Sequence, residues 1–206
     1  MITIREVGKL LVEELRTYEA NLTENEDGRL ESLNSEDDIT NHLRKTFGNH
    51  PDFIILPKGH NRAFGDMDIE IDGCEYPINV KMVAPTTGTY NGGGPKVFNY
   101  VLRGKKFSSG WDRMVKELAE NLPGKIHSDY YYLVYYKRSQ KEPQFVSLTE
   151  ISWESIVANP SNPIQLRQNL TTIERSDEEK VVFMMKLMKD ILYKKAKPYL
   201  RLEGII

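Results

Sequence analysis

The sequence predicts an α/β fold: a single domain over residues 1–206, with a central mixed β-sheet flanked by helices. Three observations carry that expectation. Apolar residues recur at spacings of three and four in several stretches, as a helix with one buried face requires. Other stretches alternate apolar and polar residues, or are continuously apolar and aromatic, as strands are. The two kinds of stretch interleave along a chain of 206 residues, enough for one good-sized core.

The first helix is expected over residues 4–20, where Val7, Leu10, Leu11 and Leu15 share a face. Residues 22–34 are polar and acidic with Asn, Gly and Ser, and read as a loop. Ser35 followed three residues on by Asp38, ahead of Ile39 and Leu43, marks a helix start and predicts a helix over 36–48. "DFIILPKG" (52–59) reads as a short buried strand ended by Pro57 and Gly59. A hairpin follows: Met67, Ile69 and Ile71 alternate with Asp68 and Glu70, Asp72-Gly73 supplies the turn, and residues 76–83 return. "APTTGTYNGGGPK" (84–96) is too rich in Gly and Pro for a regular element and reads as a loop that approaches a ligand. Trp111, Met114, Val115 and Leu118 predict a helix over 109–121. "DYYYLVYYK" (129–137) reads as a central strand buried on both faces, and "QFVSLTEI" (144–151) as a strand entering a short helix. "NPSNPIQLRQN" is a Pro/Asn-rich connection, and residues 176–197 form a long amphipathic helix. No repeat and no domain boundary is apparent.

Composition excludes several classes. Hydrophobic residues make up 39% and charged residues 28%, ordinary for a globular protein, and no apolar run is long enough to span a bilayer. The mixed-charge start "MITIREVGKLLVEEL" does not resemble a signal peptide, and the single cysteine, Cys74, excludes an internal disulfide framework. The expected location is cytoplasmic. The net charge of -2 gives no global argument for a polyanionic partner. Its distribution is more informative, with acids concentrated in residues 13–38 and bases in "RGKKF", "YYKRSQK" and "YKKAKPYLR". Segregation of this kind can build one basic face on a neutral protein, although lysine clusters are commonly just a solvated surface.

The hairpin is the stretch that could do chemistry. Asp66, Asp68 and Glu70 are two apart and share a face of one strand; Asn79 and Lys81 share a face of the next. If both faces lie on the same side of the sheet, carboxylates and an ammonium converge. Hard oxygen ligands suit Mg²⁺, which needs only one or two carboxylates besides waters and substrate phosphate. A lysine beside them can orient a water or stabilise a phosphoryl transition state. A surface hairpin with a cross-strand Glu–Lys pair has much the same pattern. Favouring chemistry are the apolar setting of Lys81 in "PINVKMV" and the Gly-rich loop directly after it.

The order Asp68, turn, Asn79-Val80-Lys81 resembles the PD-(D/E)XK nucleases, and among them the type II restriction endonucleases. In that superfamily an acid opens the first strand of a hairpin, and an acid, any residue and a lysine follow on the next. "PINVKMV" with its Thr/Gly/Asn-rich sequel, then "DYYYLVYYKR", "FVSLTEI" and "NPSNPIQLR", extends the resemblance over residues 50–170. The resemblance implies a restriction-endonuclease-like fold and Mg²⁺-dependent hydrolysis of double-stranded DNA by a homodimer. Asp68 would bind metal, Glu70 or Asn79 would complete its shell, and Lys81 would position the attacking water. A DNA repair or junction-resolving nuclease, or a catalytically inactive DNA-binding protein, are the alternatives. Asn79 departs from the pattern, since an amide stands where the superfamily has an acid. Glu70, Asp66, or a glutamate of the first helix, Glu13 or Glu14, could supply the missing charge; otherwise the chain is an inactive variant.

Thr86, Thr87, Tyr90, Asn91 and Lys96 of the Gly-rich loop, with Lys58 and Arg62 upstream, are the candidates for touching bases and phosphates. His60 lies beside them. The four histidines show no metal-ligand spacing, Cys74 has no partner base, and "NGGGPK" lacks the spacing of a nucleotide loop. The tyrosine run (130–136) is more simply a two-sided core strand than a stacking platform for bases.

Overall fold

The computed structural model describes residues 1–18, 28–56, 64–85, 88–106 and 110–203. The chain is α/β and falls into two compact units, each with its own sheet. Residues 1–87 and 130–147 form the first; residues 88–129 and 148–206 form the second. Because the two units take turns along the chain, no single linker exists for a shift in composition to mark.

The first unit opens with α1 (Ile4–Arg16). A capping box starts it: the Thr3 hydroxyl accepts from the Glu6 N–H, and the Glu6 carboxylate accepts from the Thr3 N–H at 2.8 Å. Val7, Leu11 and Leu15 are its buried stripe, as their spacing requires. The second helix, α2 (Gly28–Phe47), begins earlier than the Ser35 signal predicts, so residues 28–34 are helical where the sequence reads as loop. Its stripe of Ile39 and Leu43 is fully buried.

A five-stranded mixed sheet follows in the order β1 (Ile54–Leu56), β2 (Met67–Ile71), β3 (Cys74–Val83), β5 (Tyr131–Tyr136), β6 (Gln144–Ser147). All neighbours are antiparallel except β3 and β5, which are parallel. The hairpin turn forms as expected: Asp72 (φ 49°) and Gly73 (φ 77°) both adopt the left-handed backbone that a two-residue hairpin loop demands. Met67, Ile69, Ile71, Ile78, Val80, Tyr131 and Leu133 join the stripes of α1 and α2 in one core. Asp68 faces Pro77 and Glu70 faces Glu75, so the polar residues of the hairpin occupy the other side. β5 is central and buried on both faces; Tyr130 and Tyr132 are fully enclosed, which removes them as platforms for bases.

The second unit holds the three-stranded antiparallel sheet β4 (Thr89–Gly93), β8 (Ile164–Arg167), β7 (Ile156–Ala158). It also holds α3 (Pro95–Arg103), α4 (Trp111–Glu120) and α5 (Asp177–Glu203). Here the sequence expectation is corrected. Most of 84–96 is not an irregular loop. Thr89–Gly93 pairs with β8, and Pro95 begins a helix, where its missing N–H costs nothing. The "NPSNPIQLRQN" connection likewise contains β8. Glycine density masked β4, because two of its five residues are glycines and its register shifts between Asn91 and Gly93.

Candidate active site

The site is built on the far end of β3. β2 begins at Met67, opposite Ile78, and leaves the last residues of β3 with a strand partner on the β5 side only. Gly65 lets the chain pass tightly against that edge, since a Cβ at this position would lie 2.8 Å from the Ile78 carbonyl oxygen. The Asp66 N–H then donates to that carbonyl at 3.0 Å. The open backbone is closed by side chains. Asp66 Oδ2 accepts from the Val80 N–H at 3.0 Å, and the Glu36 carboxylate accepts a backbone hydrogen bond from Met82. Alternate N–H groups along one edge thus end on two carboxylates, one from the chain entering β2 and one from α2.

Lys81 joins them. Its Nζ donates to Glu36 Oε1 at 3.2 Å and to the Val80 carbonyl at 2.9 Å, and lies 3.7 Å from Asp66 Oδ2. The side chains are largely withdrawn from solvent, at 15% exposure for Lys81, 13% for Glu36 and 31% for Asp66. Burial pushes the Glu36 carboxyl above the ordinary carboxylate range; Lys81 works against this shift, and the Asp66 charge adds to it. Two carboxylates and an ammonium share this half-dry corner, where Glu36 holds a proton more readily than a free carboxylate does.

Asn79 shares a face of β3 with Lys81. Its Nδ2 donates to the Tyr130 hydroxyl at 2.9 Å, while its Oδ1 is buried and accepts no hydrogen bond among the described residues. A buried amide oxygen without a donor is costly, and a cation is one partner that would satisfy it. Among the described residues no group of three or more His, Cys, Asp or Glu could hold a metal ion. The carboxylates that meet at Lys81 are two, Asp66 and Glu36. That set fits a hard divalent cation that takes the rest of its shell from water and substrate phosphate.

The other sequence candidates lie as follows. Asp68 Oδ1 is buried, and the Asp68 charge reaches Arg44 of α2, where with Asp37 it opposes the lowering that burial imposes on the guanidinium. Arg44 donates to the Leu56 carbonyl at 3.2 and 3.1 Å. Glu70 stands across from Glu75, next to the turn and three pairs from the Met67–Ile78 end of the hairpin. Glu13 pairs with Arg16, and Glu14 binds His42 at 2.7 Å and Thr46 at 3.2 Å. In the second unit, Tyr90 is buried at 8% exposure, which removes its ring from any base edge. Asn91 turns back, its Oδ1 accepting from the Gly93 N–H at 2.9 Å. Lys96 is half-buried in the first turn of α3. Lys58, Arg62, Thr86, Thr87 and His60 lie outside the described residues.

Sequence reasoning missed Glu36. The signal was present: Glu36 precedes Ile39 by three and Leu43 by seven, so it continues the buried stripe of α2 and must face the sheet. An acid on an apolar stripe is worth a functional question, because burial without a partner is expensive.

No protein-family model matches this chain, and no curated protein is similar to it. Among the described residues no helix is long and apolar enough to cross a membrane.

Proposed function

We propose that the chain is a Mg²⁺-dependent endodeoxyribonuclease, a cytoplasmic type II restriction enzyme acting on double-stranded DNA as a homodimer. The observation that carries this reading is the meeting of Lys81, Asp66 and Glu36 at the open edge of β3. Asp66 and Glu36 would hold the ion, with Asn79 Oδ1 as a neutral third donor; Asp68, the acid first expected there, supports the hairpin through its charge on Arg44. The bound ion supplies charge neutralisation at the scissile phosphate.

The chain's own residues do the rest. Lys81 Nζ donates to the attacking water or to a non-bridging phosphate oxygen and offsets charge developing there. Glu36 holds Lys81 in place for that contact, its Oε1 3.2 Å from Lys81 Nζ. Asp66 holds the geometry, because its other tie is to the rigid backbone of Val80.

Incubation with plasmid DNA and Mg²⁺ tests the proposal. Discrete bands support a restriction enzyme, and loss of those bands in Lys81→Ala and Asp66→Asn supports the site. Cleavage confined to branched substrates would turn the reading to a junction-resolving nuclease. Retardation without cleavage favours a second reading, an inactive DNA-binding protein, which the neutral Asn79 and the two-carboxylate donor set recommend. Neither binding nor cleavage overturns both.

A further inference from the structure

An apolar groove lies open along α5 in the second unit. The helix buries Met184, Leu187 and Ile191 in the core. Its neighbouring face, with Val182, Met185, Leu192 and Ala196, joins Val115 of α4 and Leu122 beyond the end of that helix. The groove between them measures about 830 Å³. Val182 is 65% exposed, Tyr193 57% and Leu122 59%, and an apolar surface left this open marks a binding partner.

Shape and charge say which partner. The lining runs from Val181 to Ala196, fifteen positions of α5. That is about 22 Å, the length of four turns of a second helix. A small apolar ligand would stay wet here, because the walls themselves are more than half exposed at Val182, Tyr193 and Leu122, whereas small-molecule sites enclose most of what they bind. A flat bilayer fits a concave surface poorly; the ridge of an amphipathic helix fits it well. Met185 and Met188 in the wall can adapt to such a ridge. The charged residues lining the groove, Lys186 and Lys189, are both cationic and both exposed. Lys186 is braced over the Trp153 ring, its Nζ 4.6 Å from the centroid, and Lys189 has no carboxylate partner among the described residues. The acids nearby are already engaged: Asp190 with Lys194 at 3.2 Å, and Glu117 of α4 with Arg113 at 2.8 Å. We propose that this groove receives an acidic amphipathic helix of a protein partner. Its apolar stripe lies between α4 and α5, and carboxylates one turn apart on its flank meet Lys186 and Lys189.

The groove goes beyond the nuclease reading and rests on nothing at Lys81, so either can fail without the other. The probe is a displayed library of helices of about 18 residues, with a fixed leucine stripe and flanks drawn from Glu, Gln and Lys, selected against the immobilised full chain. Glu should be enriched on the flanks, and the selected helices, synthesised, should bind in solution with a Kd of about 1–50 μM. Exchanging their flanking Glu for Lys should weaken binding by about tenfold or more. Lys186→Glu combined with Lys189→Glu should reverse the preference, so that the Lys-flanked helices bind about tenfold tighter than the Glu-flanked ones. A reversal of preference cannot come from misfolding. Val182→Asp should abolish binding of both kinds. Absence of enrichment, or equal binding of Glu-flanked and Lys-flanked helices, overturns the proposal. Binding to phosphatidylserine vesicles that Val182→Asp removes, with no helix bound, gives the groove to an anionic membrane surface and overturns it too. So does a dimer of the chain that Val182→Asp dissolves, since a second copy would then fill the groove.

Discussion

Lys81 Nζ, at the end of the hairpin's second strand, lies 3.2 Å from Glu36 Oε1 on α2, an acid from 45 residues earlier in the chain. The pair ties a helix to a strand end that has lost its neighbour on one side. Removing the lysine leaves two carboxylates together in a corner only 13% and 31% exposed. Lys81→Ala should therefore destabilise the protein by about 3 kcal/mol, the cost of breaking a largely buried pair by deleting one partner. Denaturant titration at neutral pH measures it; an effect below about 0.5 kcal/mol would mean the pair is loosely held.

The acids should divide by function. Glu36→Gln and Asp66→Asn should each lower Mg²⁺-dependent cleavage by about a hundredfold or more, because each removes a charge that would hold the ion. Glu70→Gln, beside the turn and opposite Glu75, should stay within about threefold of the parent. Plasmid cleavage rates at saturating Mg²⁺ decide it, and equal losses at all three positions would return Glu70 to the site.

That contrast also shows how far the sequence could be read. The hairpin, its Asp72-Gly73 turn, the two-sided strand β5 and the stripe of α1 were all legible, because each rests on local periodicity or turn chemistry. Lys81 was legible too, as a charge among apolar neighbours. Of its partners, Asp66 stood among the acids named and Glu36 did not. Which acid reaches Lys81 depends on where β2 stops and on how α2 crosses the sheet, and neither is a local property. β4 was hidden for a different reason: two glycines and a shifted register give it the composition of a loop, while β8 supplies its partner from far along the chain.

Asn79→Asp would place an acid where the nuclease superfamily resembled by this sequence has one. The Tyr130 hydroxyl, 2.9 Å from Asn79 Nδ2, can rotate to donate to the new carboxylate, so the exchange should be accommodated. Mg²⁺ affinity should rise by about tenfold, measured by calorimetry or by the metal dependence of cleavage. An unchanged affinity would place Asn79 outside the metal's shell.

Glu36 sets a pH dependence. Its carboxyl is raised above the ordinary 4.5 by burial, against the pull of Lys81. A raised folded-state value means the protonated form is favoured in the fold. Its stability contribution is then complete below 4.5 and is lost as pH rises through the folded value. Relative to Glu36→Gln, the parent should lose unfolding free energy as pH rises from 4.5 through the raised folded value. Chemical denaturation across that range measures the slope, and a difference that grows in the opposite direction would contradict the assignment.

Gly65 should be intolerant of a side chain. A Cβ there meets the Ile78 carbonyl oxygen at 2.8 Å, and relief requires moving the segment that carries Asp66. Gly65→Ala should cost about 1–2 kcal/mol of stability and reduce cleavage further than stability alone explains, because Asp66 leaves the Val80 N–H. A variant that loses stability but keeps full activity would separate the backbone from the chemistry.

The carboxylates that end the Val80 and Met82 N–H groups have a second consequence. A β-edge with free donors invites another strand, from a neighbouring molecule or from the chain itself while it folds. Here the guard on that edge and the proposed chemical machinery are the same two side chains. Purifying an inactive form by deleting them would strip the edge bare and trade a cleavage problem for a solubility problem. The amide isosteres, Glu36→Gln and Asp66→Asn, keep an oxygen facing the strand and are the forms in which a quiet but well-behaved protein should be sought.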